Sequence, residues 1–323
     1  MVILEITMKE TQYKNFNHFK LHTQFSICEG AIKIDNLKEY CKNNKTRTLG
    51  ICDTSNLSGA LEFSESLSKN GTQPIIGTQI IFNDNEDRGF LTLLAKNEIG
   101  YKEILYLSSK SYLENKNSPD ASCDIHELFH KDNNFIVMSG TINGLIGSLF
   151  KKEKIDKIRG IYKKLHLNFG SNFYIEIQRH NDDNEKAFEK LNLKLSSELD
   201  IPIIASQEVF YIEKSMYEAH DALICIKEKT YINEKNRLIY SDQHYLKSNE
   251  EMYELFSDIP EALENNYNLP FRFDFRPIKS EPVLPSIASN KALDIDKKLI
   301  EDSFKGLKNK FKNFFCEDNE EPD

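Results

Sequence analysis

No stretch of this chain stays apolar for the roughly 20 residues that a membrane-spanning helix needs. Its start, Met1-Val-Ile-Leu-Glu-Ile-Thr-Met-Lys-Glu10, lacks the basic leader and long apolar centre of a secretory signal. A cytoplasmic protein with no membrane partner is expected. The six cysteines, at 28, 41, 52, 123, 225 and 316, include no C-x-x-C pair, which argues against zinc ribbons and thioredoxin-type motifs. Cys52 and Cys225 sit in apolar runs and read as small buried hydrophobes in a reducing compartment. Neither G-x-x-x-x-G-K-[ST] nor G-x-G-x-x-G occurs, so the chain lacks a P-loop and a dinucleotide fingerprint. A G-x-S-x-G elbow is missing as well. Basic charge is also short: 42 Lys and Arg against 51 Asp and Glu leave a net charge of −9. That balance is poor for a main nucleic-acid surface.

What is present suits a large α/β domain with a smaller appendage, given 323 residues of which 39% are hydrophobic and 29% charged. Seven β-runs stand out, at 18–22, 49–52, 74–81, 90–95, 135–139, 173–178 and 203–206. Most are continuously apolar, as in strands buried on both faces. Helical patterns lie between most of them. Asp35 can cap a helix over 36–44, and Ser58 one ending at 68. Further helices are expected over 96–113, 125–130, 145–167 and 183–199. Strands three and four are joined by the hairpin-like Asn83-Asp-Asn-Glu-Asp87. Such alternation predicts a mostly parallel sheet, and seven strands without a glycine fingerprint suggest a barrel. Beyond residue 211 the pattern turns helical (216–226, 249–256, 261–267). A proline-rich linker over 270–285 follows, then a last helix over 292–315 and an acidic tail.

In α/β barrels, chemistry sits at the C-terminal ends of the strands. His22, with Glu29 and Asp53, could seed a metal site there. His18 and His22, four apart on a strand, are separated by roughly 13 Å and cannot chelate one ion. An H-x-H pair could, but Lys20 occupies the second position and an ammonium repels a cation. Ser139-Gly-Thr-Ile-Asn-Gly-Leu-Ile-Gly147 could cradle a phosphate, although a tight βα turn explains it more simply. The basic stretch 151–164 places Ile155, Ile158, Ile161, Tyr162 and Leu165 at helical spacing, the pattern of an amphipathic helix with a solvated basic face. Asp294-x-Asp296 falls in a helical pattern whose i and i+2 positions diverge, and reads as surface.

His18-Phe-Lys-Leu-His-Thr-Gln-Phe-Ser-Ile-Cys-Glu-Gly30 resembles the opening of the polymerase and histidinol phosphatase (PHP) domain. More narrowly, it is similar to that domain at the N-terminus of bacterial DNA polymerase III alpha subunits. Asp53-Thr-Ser-Asn-Leu-Ser-Gly-Ala-Leu-Glu-Phe63, Lys69-Asn-Gly-Thr-Gln-Pro-Ile-Ile-Gly77 and Tyr174-Ile-Glu-Ile-Gln-Arg-His180 follow in the family's order. Ala219-His-Asp-Ala-Leu-Ile-Cys-Ile226 and Ser241-Asp-Gln-His-Tyr-Leu-Lys-Ser-Asn-Glu-Glu-Met252 resemble the polymerase subunit rather than free-standing phosphatases. The resemblance implies a seven-stranded (β/α)7-type PHP barrel, a helical segment, and the start of a polymerase core. The expected division is an N-terminal extension (1–15), the barrel (16–213), a helical extension (214–269), and a linker with the start of the palm (270–323).

The resemblance also implies where metal ligands should fall, and most are replaced. The family's first H-x-H is Lys20-x-His22, and Glu29 matches the acidic ligand after it. Thr54, Gln79 and Thr141 stand where the family has His, Glu and Cys. The closing Asp-x-His is Glu208-Val-Phe210. A site short of so many donors does not hold a metal cluster. The expectation is therefore no catalytic residue, no bound metal and no cofactor in this chain, with Mg2+ belonging to a full-length polymerase whose palm lies downstream. The barrel is expected to be a non-catalytic scaffold that docks a separate proofreading exonuclease subunit within the replicative holoenzyme. DNA would be met mainly by the downstream domains. The alternative is an autonomous metal-dependent phosphoesterase or nuclease of the PHP family. Because a buried ammonium is costly unless paired, Lys20 is expected to pair with Glu29 or Glu208, and His22 with Asp53.

Overall fold

Strand alternation sorts the buried side chains of this chain into two layers. The computed structural model describes residues 15–113, 121–130, 134–282 and 295–314. In strand β7 (Phe173–Ile177), Phe173, Ile175 and Ile177 join the core beneath the helices. Tyr174 joins a separate cluster with Ile75, Leu94, Ile136, Met138 and Ile204. Successive residues of a strand point to opposite faces, so the second cluster fills the face of the sheet turned away from that core.

The strands are β1 (Lys20–Leu21), β2 (Thr48–Thr54), β3 (Gln73–Asp84), β4 (Asp87–Ala95), β5 (Ser122–Asp124), β6 (Phe135–Met138), β7, β8 (Ile203–Ala205) and β9 (Glu208–Val209). Their order is β8-β7-β6-β4-β3-β2-β1-β9, with β5 beside β3. Pairing is parallel except where β4 meets β3 and β6. The β3–β4 hairpin turns at Asn85, whose φ of 57° suits asparagine. The two ends of the order, β8 and β9, are separated in the chain only by Ser206 and Gln207. The result is a mixed α/β fold with a curled half-barrel sheet. Nine strands among the described residues replace the seven expected. The additional two, Ser-Cys-Asp and Glu-Val, are too short and too polar to show as apolar runs.

Helices α1 (Ile34–Asn44), α2 (Ala60–Ser68), α3 (Glu98–Leu113), α4 (Leu145–Lys151), α5 (Ile155–Phe169) and α6 (Glu185–Leu199) follow the strands. The expected caps differ. Lys33 and Gly59 occupy the N-cap positions, and Asp35 lies inside the first turn, where it favours the helix dipole. The single helix expected over 145–167 is two, broken where Glu153 takes a φ of 56°. The break brings Lys152 and Lys154 together with Lys157 onto the buried Asp87, at 2.7, 2.8 and 2.9 Å. Those lysines of the basic stretch neutralise a carboxylate of the chain itself.

The segment after β9 contains α7 (Tyr217–Glu228), α8 (Asn249–Leu255) and α9 (Pro260–Asn268). Ser248 and Glu251 form a complete capping box at α8. The buried Asn266 of α9 donates to the carbonyls of Asn17 (2.8 Å) and Ala205 (3.0 Å) and accepts from the Asn17 amide (2.8 Å). The first part of the expected linker is packed rather than free. Ser64 donates to the Pro277 carbonyl at 2.6 Å, the Asp274 amide donates to the Lys96 carbonyl, and the Phe275 ring packs 5.2 Å from that of Tyr101. One compact unit spans Met1–Ile278 and a second Lys279–Asp323. Within the second, helix α10 (Ile295–Phe314) has no buried residue. Asp296 lies on it, whereas Asp294, Cys316, the acidic tail and residues 1–14 fall outside the described residues. Among the described residues, no helix is long and apolar enough to cross a membrane.

Candidate functional site

The parallel register of β1 and β9 sets Lys20 opposite Glu208. Their side chains meet at 3.8 Å, and Lys20 Nζ lies 3.2 Å from Glu176 Oε1. Glu176 reaches this point because it alternates with Ile175 and Ile177 on β7, and so projects from the face opposite the helices. Glu176 also accepts from the Gly140 amide at 3.1 Å. Gly140 supplies that amide from a turn with a φ of 83°, a conformation open to glycine. All three ionic side chains are buried, Lys20 at 1% exposure. Burial alone pulls the Lys20 ammonium down, but Glu176 and then Glu208 outweigh it and hold it above the usual lysine value. Burial pushes Glu208 up, and Lys20 and His22 overcome this to hold it well below the usual carboxylate range.

His22 extends the cluster. Its Nε2 lies 3.3 Å from Glu208 and 3.2 Å from the Gln79 amide nitrogen. Gln79 in turn donates a short bond to Glu208. His22 Nδ1 lies 3.3 Å from Ser26 Oγ and 3.4 Å from Thr54 Oγ1. Thr54 donates to Glu29 at 2.6 Å, and Glu29 pairs with Lys227 at 3.6 Å. Phe210 packs its ring 4.7 Å from His22 and contacts His220, Tyr240 and His244. A cavity of about 270 Å³ opens here, lined in part by Lys20, Glu29, Gln79, Thr141, Glu208 and Phe210.

The eight residues singled out in the sequence, Lys20, His22, Glu29, Thr54, Gln79, Thr141, Glu208 and Phe210, therefore meet at one place. Thr141 lines the rim and accepts from the Asn143 amide. The expected pairings change in two respects. Lys20 takes Glu176 as its nearer partner and not Glu29, because Glu29 is held by Thr54 and Lys227. His22 faces Glu208 and not Asp53, because Asp53 is filled by Thr23 and Ser26, from which it accepts at 2.6, 2.8 and 2.7 Å. Burial raises the Asp53 carboxyl above its usual value despite those bonds. Glu176 was missed by the sequence reading. Its signal was an acidic residue inside the apolar run Phe-Tyr-Ile-Glu-Ile, a position that must face either water or a partner.

Among the described residues, one group of at least three His, Cys, Asp or Glu donors lies close enough to share an ion: His180, Asp182 and His244. It shares no member with the eight residues and was also missed, since 64 residues separate its two histidines.

The sequence matches the PHP domain over residues 18–180, half of the chain, and the chain belongs to the PHP domain family. Its PHP domain is homologous to the N-terminal region of DNA polymerase III alpha. It is 31% identical over 309 residues to the DNA polymerase III subunit alpha of Caulobacter vibrioides, covering 93% of this chain and 27% of that one. It is 33% identical over 284 residues to the same subunit of Rickettsia conorii, covering 87% and 24%. The chain thus spans about a quarter of the length of these relatives. Among solved structures, an amidohydrolase of Chromobacterium violaceum aligns with a TM-score of 0.36 and 8% identity, over 60% of this chain and 87% of that one.

Proposed function

We propose that this chain is the PHP region of a replicative DNA polymerase alpha subunit, and that it acts as a non-catalytic scaffold which docks a separate proofreading exonuclease. The observation that carries this reading is the buried Lys20 ammonium, paired with Glu176 and Glu208. It supplies from within the chain the positive charge that a divalent cation would bring to these carboxylates. Gln79, Thr54 and the Phe210 ring occupy the remaining space with groups that are poor metal donors. The residues present do not fit a multinuclear metal centre. The eight residues are on this reading a vestigial metal site. The sheet is read as a (β/α)7-type barrel over 16–213, a view supported by β8 and β9 pairing with opposite ends of the sheet while two residues apart. Residues 214–269 are read as the helical extension, with 270–278 packed onto the same compact unit, and the stretch from 279 to 323 as a linker and the start of the polymerase palm.

Two features favour a protein partner at the rim. Leu238 lines the cavity, and Ile226, Tyr231, Ile232 and Ile239 of the same segment stand exposed. The net charge of −9 disfavours nucleic acid. Calorimetry with the same organism's exonuclease subunit at physiological salt tests docking. Binding is expected, and its absence at tens of micromolar with both proteins folded overturns that part. Hydrolysis of a phosphate monoester or single-stranded DNA, lost on adding a chelator and in His22→Ala, overturns the non-catalytic part.

A further inference from the structure

The loop that leaves β7 is shaped by its own side chains. Asn181 and Asn184 take φ values of 63° and 65°, and Glu185 accepts from the amides of His180 (2.8 Å) and Asn181 (2.9 Å). This loop presents His180 and Asp182 to His244, which arrives from the extended segment ahead of α8. One ligand atom from each of the three lies within 4.8 Å of the others.

The hydrogen bonds around the two imidazoles leave matching nitrogens open. His244 donates from Nδ1 to the Glu208 carbonyl at 3.0 Å, which puts its lone pair on Nε2. That Nε2 has no hydrogen-bond partner, although the residue is only 1% exposed. His180 Nδ1 lies 3.5 Å from the Glu185 carboxylate, and its Nε2 accepts a long bond of 3.2 Å from the Glu208 amide. Each ring therefore turns its Nδ1–H toward an oxygen and carries its lone pair on Nε2. Metal-binding histidines are oriented in this way, by a carbonyl or carboxylate on the far nitrogen. Burial keeps both rings neutral, with His180 pushed down to about 3. A buried polar atom without a partner is costly, and an ion is one means of satisfying it.

We propose that His180 Nε2, His244 Nε2 and the Asp182 carboxylate bind one divalent transition-metal cation. The ion pins the β7 exit loop to the segment ahead of α8. Two imidazoles and one carboxylate suit Zn2+ or a similar first-row ion rather than Mg2+ or Ca2+. Metal–ligand bonds of about 2.0–2.2 Å require the donors to draw together on binding. The rings now stack at 4.1 Å with planes 4° apart. They tilt on binding, because each lone pair lies in its own ring plane, and His180 exchanges its long amide bond for the ion. The site shares no side chain with the cluster around Lys20, although both adjoin the Glu208 backbone, and it does not depend on that cluster's being inactive.

The test is calorimetric titration of the EDTA-treated, dialysed full chain with Zn2+ alone. One ion per chain is expected, together with a rise in Tm on saturation. His244→Phe and Asp182→Asn, each shown folded by circular dichroism, should weaken binding at least 10-fold, and His22→Ala should leave it unchanged. Co2+ substitution should give a visible ligand-field spectrum that His244→Phe abolishes. If His244→Phe does not fold, Asp182→Asn decides alone. No Zn2+ binding by the folded wild type at tens of micromolar overturns this site only. Binding that survives both variants but disappears in His22→Ala overturns it too, and places the ion in the Lys20 cluster against the function proposed above.

Discussion

Lys20 and Asp87 are mirror images as electrostatic problems, one a buried cation among carboxylates and the other a buried carboxylate among cations. Both side chains are 1% exposed, but their partners differ. Glu176 and Glu208 are shut in with Lys20, at 0% and 11% exposure. The lysines on Asp87 keep 49%, 40% and 29% of their surface in water. Every member of the first cluster has lost most of its hydration and depends on the others. In the second only the carboxylate has, and three solvated ammonium groups share the task of holding it. A charge network closed to solvent is intolerant of losing a member, whereas an open one is redundant.

The largest effect should come from Lys20→Met, which strands two buried carboxylates and should cost about 3–5 kcal/mol in urea unfolding. Because the Lys20 value is raised on folding, its contribution is intact below the unfolded lysine value of about 10.4 and should fade only at higher pH. A loss under about 1 kcal/mol would show that the closed cluster is no more demanding than the open one. Asp87→Asn comes next, at about 1.5–3 kcal/mol at pH 7. Burial opposes the Asp87 charge, but the three lysines hold its carboxyl well below the usual range. Its contribution is therefore present above the unfolded value of about 3.9 and lost as pH falls through the folded one. Wild type and Asp87→Asn should converge in acid, and high salt should narrow their gap more than that between wild type and Lys20→Met. Lys152→Met should have the smallest effect, under about 1 kcal/mol, since Lys154 and Lys157 remain on Asp87. A thermal melt that ranks it with Lys20→Met would contradict the redundancy.

How much of this was legible in the sequence depended on how local the signal was. All seven apolar runs became strands, and the eight residues of the site converge, because strand ends in such a sheet face a common rim. Glu208 could be named as a partner for Lys20, but Glu176 could not: pairing across the curl, over 156 residues, depends on the closure of the sheet. The break at Glu153 carried no Gly or Pro and is held by Asp87, more than sixty residues earlier. The packing of 273–278 was hidden for the same reason, since proline-rich composition describes a local preference and says nothing about the surface beneath it.

The Asn266 clamp has a consequence in time. It holds Asn17, just ahead of the first strand, from a position 249 residues later in the chain. At roughly 5–20 residues per second on a ribosome, about 12–50 seconds pass between the emergence of the two. Throughout that interval the entry to β1 lacks the amide that will fasten it. Phe16 and His18 wait in the same way for Asn249 and Lys247, so a nascent chain can pair β1 with β2 and β9 well before these last bonds complete the seating of its entry.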